Sequence, residues 1–335
     1  MDIANILNKI CINQNLNSLE SDEVIENILE GQLDDGIIGA LLMGLKMKGE
    51  SISEITSFAK KMREKSQFIA VDGIDVIDTC GTGGDGLGTF NISTVSAIIA
   101  AAAGCFIAKH GNKSVSSKCG SADVLEKLGI NIFSDVMTVE NSIKDLGIGF
   151  LFAPKLHSAM KYVMPVRKSL KIRTIFNILG PLTNPARAKK QIIGVFDEKL
   201  CSVYANVLKE MGHTEAYIVH GSDGLDEVST SGGTLVYHLK DSNINSFYVT
   251  PEDFGIQRAD LAEIKGGSAD INAGIILDIL NGVKGAKRDV ACLNAAFAIK
   301  LSGISDTLQD GFEVANQTID SYKAFKKLEE WRGVC

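Results

Sequence analysis

DTCGTGGDGLGTFNIST, Asp78 to Thr94, holds five glycines in the eight positions from Gly81 to Gly88, with Asp85 alone among them as an acid. Asn91, Ser93 and Thr94 follow, and then a long apolar run starts at Val95. Glycines let a backbone turn through positive φ and bring several N–H groups to one anion. Hydroxyls and free N–H groups at the start of a helix meet the positive end of its dipole. A strand, a glycine loop and a capped helix in that order read as a phosphate cradle. The competing reading is a Gly-rich surface loop with an ordinary Ser/Thr cap. The stretch matches neither G-x-x-x-x-G-K-[ST] nor G-x-G-x-x-G, so the usual nucleotide-fold motifs do not apply.

Outward from this loop, short apolar strands alternate with longer helical segments from about Phe68 onward, the signature of a mostly parallel sheet. Strands are expected at Asp75–Ile77, Cys105–Ala108, Gly149–Phe152, Gln191–Phe196 and Ala216–Val219. Residues 1 to about 66 carry a helical pattern instead. Ile3, Ile6, Leu7 and Ile10 share a face, and Ser21-Asp22 before VIENIL reads as a helix cap. The fold class expected is α/β, a small all-helical domain (1–67) followed by a large domain (68–335) with a mostly parallel central sheet.

The chain has 335 residues, 45% apolar and 22% charged, enough for a large core. A net charge of −7 gives no general attraction to nucleic acid or to an anionic membrane. The nearly apolar run Val95–Ala108 contains Ser96 and falls short of the roughly 18 residues of a membrane span. The seven scattered cysteines never space as C-x-x-C, which argues against a disulfide framework or zinc site and makes a reducing cytoplasm the expected location. MDIANILNKI lacks the layout of a signal peptide.

Polar segments beyond the strand ends converge on one site, because ligands of open α/β sheets sit outside the carboxyl ends of the strands. Lys109-His110-Gly111-Asn112-Lys113-Ser114-Val115-Ser116-Ser117-Lys118 suits a polyanion, and Gly120-Ser121-Ala122-Asp123 then opens another helix. His110 admits two roles, general base or pocket-shaping donor. Arg167 and Lys168 follow Pro165 in apolar surroundings, and a guanidinium grips a carboxylate through two hydrogen bonds. A structural ion pair explains that arginine equally well. Asp226-Glu227 places two carboxylates in a tight loop, which with a phosphate cradle on the same sheet reads as a magnesium site. Cys80 and Cys119 read as small packing residues beside glycine loops.

Gly81-Thr82-Gly83-Gly84-Asp85, Asn91-Ile92-Ser93-Thr94, Lys109-His110-Gly111-Asn112, Gly120-Ser121-Ala122-Asp123, Met164-Pro165-Val166-Arg167, Arg173-Thr174-Ile175-Phe176-Asn177 with Leu179-Gly180-Pro181, and Asp223-Gly224-Leu225-Asp226-Glu227 resemble, in order, the motifs of the anthranilate phosphoribosyltransferase family. The resemblance runs on to Arg288-Asp289 and Leu293-Asn294-Ala295-Ala296. It implies a nucleoside-phosphorylase-like fold and a homodimer joined through the helical domains, with helices from about 160–185 completing the small domain. It implies transfer of phosphoribose from 5-phosphoribosyl 1-diphosphate to anthranilate, with two magnesium ions as cofactor. Diphosphate and ribose contacts would fall on Gly81, Gly84, Asp85, Thr89, Asn91, Ile92, Ser93, Thr94, Lys109, His110, Gly111, Asn112, Lys113, Ser114, Val115, Ser116, Ser117 and Ser121. Metal ligands would be Ser93, Asp226 and Glu227. Anthranilate contacts would be Gly81, Asn112 and Arg167 with His110 and His157 nearby, and Lys109, Asn112 and Arg167 would carry catalysis. Two departures are Lys171, where a glycine is expected, and Lys155-Leu156-His157-Ser158 in place of a histidine- and proline-rich segment. The rival readings are a pyrimidine nucleoside phosphorylase, which needs no Asp-Glu metal pair, and a basic, nucleic-acid-binding relative. Asp226-Glu227 and Arg167 speak against the first, and the net charge and GTGGD against the second.

Overall fold

The structure is a computed structural model and describes residues 1–114 and 118–335. Four helices come first: α1 (Ile3–Cys11), α2 (Ser18–Leu29), α3 (Asp35–Lys48) and α4 (Ile52–Glu64). Capping boxes start two of them. The Asn17 side chain accepts from the Glu20 amide while Glu20 reaches back to the Asn17 amide, and Ser51 with Glu54 repeats the device. The cap expected at Ser21-Asp22 is therefore wrong by a turn. Asn17 is the N-cap, and Ser21 is buried inside α2.

The rest of the chain alternates strand and helix: β1 (Ile77–Asp78), α5 (Ile92–Ala102), β2 (Ile107–Gly111), α6 (Ser121–Lys127), α7 (Val136–Asn141), β3 (Ile148–Phe152), α8 (Ala153–Leu156), α9 (Met164–Leu170), β4 (Lys190–Gly194), α10 (Lys199–Glu210), β5 (Glu215–Gly221), β6 (Thr234–Lys240), β7 (Asn243–Val249), α11 (Ala269–Leu280), α12 (Ala286–Ser302), α13 (Leu308–Asp320) and α14 (Lys323–Val334). One seven-stranded sheet runs in the order β3-β2-β1-β4-β5-β6-β7. The first five strands are parallel, and β6 and β7 are antiparallel. The order reverses between β1 and β4, which opens a crevice at their carboxyl ends.

Each expected strand is present with shifted ends. β1 is two residues long, and β2 continues to Gly111 because its ladder with β3 runs from Ile107↔Ile148 to Gly111↔Phe152. The hairpin β6–β7 is unanticipated. Its two-residue turn, Asp241-Ser242, takes positive φ at both positions (47° and 65°) without the glycine that usually marks such a turn.

Both faces of the sheet are buried, so the central strands are apolar on both sides. In β4, Ile192 enters the core built by α5, α11, α12, α13 and α14, while Ile193 enters the core shared with α1–α4, Val163–Leu182 and α10. In β5, Tyr217 and Val219 go to the first core and Ala216 and Ile218 to the second. Arg63 of α4 ties the bundle to the sheet side. It is 8% exposed, and its Nε donates to the Leu182 carbonyl at 2.7 Å. Its Nη2 lies 3.4 Å from His213 Nε2, and His213 Nδ1 faces the Leu208 carbonyl at 3.2 Å. Both contacts are satisfied by a neutral ring protonated on Nδ1. Burial, aided by Arg63, drives the His213 pKa from 6.5 to about 3.

Lys171 adopts φ 52°, ψ 26° after the last turn of α9, so the chain keeps the left-handed turn without glycine at a cost of about 1–2 kcal/mol. Lys155 donates its Nζ to the carbonyls of Phe133 (2.9 Å) and Ser134 (2.7 Å), a local structural use.

His213 makes stability pH-dependent in a defined direction. Its folded pKa lies below its unfolded one, so between about pH 6.5 and pH 3 the unfolded chain binds a proton that the fold refuses, and stability falls as pH falls. In His213→Gln the slope of unfolding free energy against pH, from urea titrations at pH 4 to 6.5, becomes shallower by up to about 1.4 kcal/mol per unit. Equal slopes in the two proteins would contradict the buried neutral ring.

Candidate active site

Around the crevice between β1 and β4, glycine sets how closely the segments approach. Gly81, Gly83, Gly84, Gly86 and Gly88 carry the chain from β1 toward α5, and the last four have positive φ. A Cβ on Gly194, at the end of β4, would stand 1.6 Å from the Asp226 carbonyl oxygen, and one on Gly81 would stand 2.9 Å from the Gly194 carbonyl oxygen. The glycine loop, the end of β4 and the acidic turn after β5 therefore pack backbone to backbone. The Thr82 amide closes the arrangement by donating to the Gly194 carbonyl at 2.8 Å.

Lys109 of β2 is 2% exposed. Its Nζ donates to the Thr79 carbonyl (3.2 Å), the Thr79 hydroxyl (3.3 Å) and Ser93 Oγ (3.2 Å). Burial lowers its pKa, while the carboxylates of Asp78 and Glu227 oppose the shift. The Ser93 amide, in the first turn of α5, donates to Glu227 Oε1 at 3.2 Å. A carboxylate thus already occupies one N–H of the helix start that sequence reasoning left free for phosphate. Burial raises Glu227 from 4.5 to about 7, against the pull of Lys109 and with Asp85 adding to the rise. Asp226 is pushed well above the usual carboxylate range by burial first and then by the charges of Asp85 and Glu227. Burial, helped by Asp78 and the acidic pair, also pushes the Cys80 thiol up, so it stays protonated and unreactive.

A second group lies on the β2–β3 side. His110 is 3% exposed, with Nδ1 3.2 Å from the Gly180 carbonyl, and its ring centroid lies 5.2 Å from that of buried His157. The Nε2 atoms of both rings are buried with no hydrogen-bond partner among the described residues. Burial keeps both neutral, His157 at about 4 and His110 well below 6.5. Arg167 of α9 is half-buried, 5.9 Å from the Phe176 ring. Burial alone pulls its pKa down, and among the described residues no carboxylate offsets it. That favours a waiting cation over the structural ion pair.

The other expected residues are put to mixed use. Asn91 is tied up: its Nδ2 donates to the Cys119 carbonyl and its Oδ1 accepts from Asn272. Ile92 is core, Thr94 is buried with no hydroxyl partner among the described residues, and Thr89 bridges to Lys265. The Asn112 carbonyl accepts from Ser121 Oγ and from the Ala122 amide, and the Asp123 carboxylate collects the amides of Ser114 and Gly120. These bonds hold the ends of the Gly111–Gly120 loop together. Lys113 pairs instead with Glu126 at 2.7 Å on the surface. Val115, Ser116 and Ser117 lie outside the described residues.

Sequence reasoning assigned no role to Asn294, which is 5% exposed on α12. Its Oδ1 accepts from the Val228 amide (2.8 Å), and its Nδ2 donates to the carbonyls of Val228 and Val290 (both 2.9 Å). It grips the residue that follows Asp226-Glu227 by both backbone groups. The signal available beforehand was an amide inside the apolar helical pattern LNAAFA.

The chain is similar to known proteins over nearly its whole length. A family model described as "Glycosyl transferase family, helical bundle domain" matches residues 4–66, and one described as "Glycosyl transferase family, a/b domain" matches residues 73–325. Anthranilate phosphoribosyltransferase of Clostridium kluyveri is 50% identical over 324 residues, 97% of each chain. Its counterpart in Alkaliphilus metalliredigens is 48% identical over 97% of this chain and 96% of its own. The crystal structure of anthranilate phosphoribosyltransferase from Thermus thermophilus superposes with TM-score 0.93 at 36% identity, covering 100% of this chain and 99% of that one. The Saccharomyces cerevisiae enzyme in complex with PRPP and Mg superposes at 0.92 with 29% identity, covering 99% and 97%.

Asn294→Leu removes three hydrogen bonds and strands the amide of Val228 in the core. The expected loss is about 3 kcal/mol in urea unfolding. A loss below about 0.5 kcal/mol, the range of an ordinary surface change, would show that the grip is dispensable.

Proposed function

The chain belongs to the anthranilate phosphoribosyltransferase family, and from that premise we propose how its own residues carry the reaction: transfer of the 5-phosphoribosyl group from 5-phosphoribosyl 1-diphosphate to the amine of anthranilate, releasing pyrophosphate, in tryptophan biosynthesis. The observation that carries the assignment is the stack at the sheet reversal. A buried ammonium and two half-buried carboxylates meet beside a glycine loop with four positive-φ positions.

The donor set fits a hard divalent cation. Asp226 and Glu227 are half-buried acids whose pKa values are raised, first by desolvation and then by the neighbouring carboxylates, Asp85 Oδ2 is buried with no hydrogen-bond partner among the described residues, and the Ser93 hydroxyl is adjacent. All are oxygen ligands of the kind magnesium prefers. Asp226, Glu227 and Ser93 would hold the metal, and two ions are part of this proposal. When bound, magnesium neutralises charge on the departing diphosphate.

The protein's own groups do the remaining work. As the bond from ribose C1 to the diphosphate stretches, positive charge grows at C1 and negative charge on the leaving group. In this reading Lys109 and the amides of the glycine loop left over from internal bonds meet that negative charge, held in place by the fold before the reaction. The amine of anthranilate is neutral at pH 7, so alignment, rather than a strong base, is the requirement on the acceptor side. Arg167 holds the anthranilate carboxylate and Asn112 aligns the amine. His110 and His157, neutral and with open Nε2 atoms, line that side as polar but uncharged neighbours.

Residues 1–67, with helices from about 160–185, form the small domain of this proposal and residues 68–335 the large one. The core shared by α1–α4 and Val163–Leu182 supports the grouping. A homodimer joined through the bundle fits the exposed Leu19, Met43 and Met47. Cytoplasmic location belongs to the same reading. No helix among the described residues is long and apolar enough to cross a membrane.

The test is loss of anthranilate fluorescence with purified protein, diphosphate substrate and magnesium, run beside a sample containing EDTA. Loss that requires both diphosphate and metal is expected; loss without either, or none at all, would refute the proposal. Arg167→Ala raises the KM for anthranilate about tenfold or more, with a far smaller effect on the diphosphate. Equal effects on both substrates would move the arginine elsewhere. Asp226→Asn with Glu227→Gln lowers magnesium-dependent turnover on the order of a hundredfold, and an unchanged magnesium titration would remove the pair from the metal site.

A further inference from the structure

Arg173 is exposed, yet its guanidinium is held by two contacts. Nη2 donates to the Gly84 carbonyl, and the group stacks on the Phe196 ring with Cζ 4.0 Å from the centroid. A Cβ added to Gly84 would stand 3.3 Å from that same nitrogen. Phe196 is in turn fixed to the loop, since its amide donates to Thr82 Oγ1 at 3.1 Å. Arg173 therefore spans from the segment behind α9 to the middle of the glycine loop. Its neighbours fix its own origin: the Thr174 amide donates to Asn177 Oδ1 at 2.9 Å, and Phe176 stands beside Arg167.

The glycine loop needs such an anchor. Four of its residues have positive φ, and glycine has more conformational freedom to lose than any other residue. A loop whose amides must meet an anion gains affinity when its conformation is set before the anion arrives. Thr82 fastens the first part of the loop to Gly194. Beyond it, Asp85 caps its own turn at the Leu87 amide, a bond internal to the loop. The Gly84 carbonyl is where the loop reaches across to the α9 side, and Arg173 is the residue that takes it.

We propose that Arg173 is a positioning residue: a strap from the Arg167-bearing segment that pre-sets the Gly83–Gly86 loop for the diphosphate end of the substrate. The inference rests on the phosphoribosyl-transfer reading for the identity of the anion. It assigns to Arg173 no contact with either substrate.

The test uses the full chain with Arg173→Ala, Arg173→Lys and Phe196→Leu. In Arg173→Ala the KM for 5-phosphoribosyl 1-diphosphate rises about tenfold, the value of one charge-assisted hydrogen bond. Turnover and the anthranilate KM at saturating diphosphate move less than about twofold on the same reasoning. Phe196→Leu, which removes the stacking surface but no charge, shows a smaller rise in the same constant. Arg173→Lys, with a donor but no planar group to stack, falls between wild type and alanine. An unchanged diphosphate KM in Arg173→Ala, or a rise confined to anthranilate, would overturn the strap. Hydrogen exchange at the Gly83–Gly86 amides gives a readout that needs no turnover. Exchange faster in Arg173→Ala than in wild type supports the strap, and equal exchange overturns it. If the wild-type protein itself fails to turn over, the proposed function fails while exchange still decides the role of Arg173.

Discussion

A single buried ammonium organises this molecule. Lys109 stands near the end of β2 with its charge placed among Thr79 after β1, Ser93 at the start of α5, and the acids Asp78 and Glu227. A charge taken from water without partners costs far more than a fold can spare, so these groups have to meet it together. They come from segments far apart in the chain, and their meeting fixes how β1, α5 and the turn after β5 stand to one another. The same contacts bring Glu227 onto the Ser93 amide and leave Asp226 facing Asp85, an acidic cluster that Lys109 alone does not balance.

Close backbone approach makes that arrangement possible. Gly194 lets the Asp226 carbonyl lie where a Cβ would be, and Gly81 lies against Gly194 in turn. Any side chain at Gly194 would push the acidic turn away from the sheet and break the register between the two carboxylates and the helix start. Asn294 applies the complementary restraint from behind, gripping Val228 by its amide and carbonyl. Position in this site is set by what is absent at two glycines and what is present at one asparagine.

Several polar residues that sequence reasoning gave to substrate are spent on structure. Asn91 serves Cys119 and Asn272, and Lys113 pairs with Glu126 outside the cleft. Composition cannot separate the two uses, because a carboxamide or an ammonium has the same hydrogen-bonding capacity in either place. The reverse error is also present. Arg63 and His213 join the bundle to the α/β part through a buried contact between residues 150 positions apart, and neither lies in a motif.

The fold class, the helical start, five mostly parallel strands and the segments that reach the site were legible in the residues alone. Those features are written in local patterns: apolar periods of two and of 3.6, and glycine where the backbone must turn or yield. The sequence also carried the family, through ordered motifs from Gly81 to Glu227. Strand ends and the hairpin β6–β7 came instead from contacts across the fold, because ladders set where strands stop and Asp241-Ser242 turns without glycine. The same holds for which charges face one another. The raised pKa of Glu227, the neutrality of His110 and His157, and the guanidinium of Arg167 with no offsetting carboxylate among the described residues follow from burial and from neighbours distant in sequence, and no local pattern encodes them.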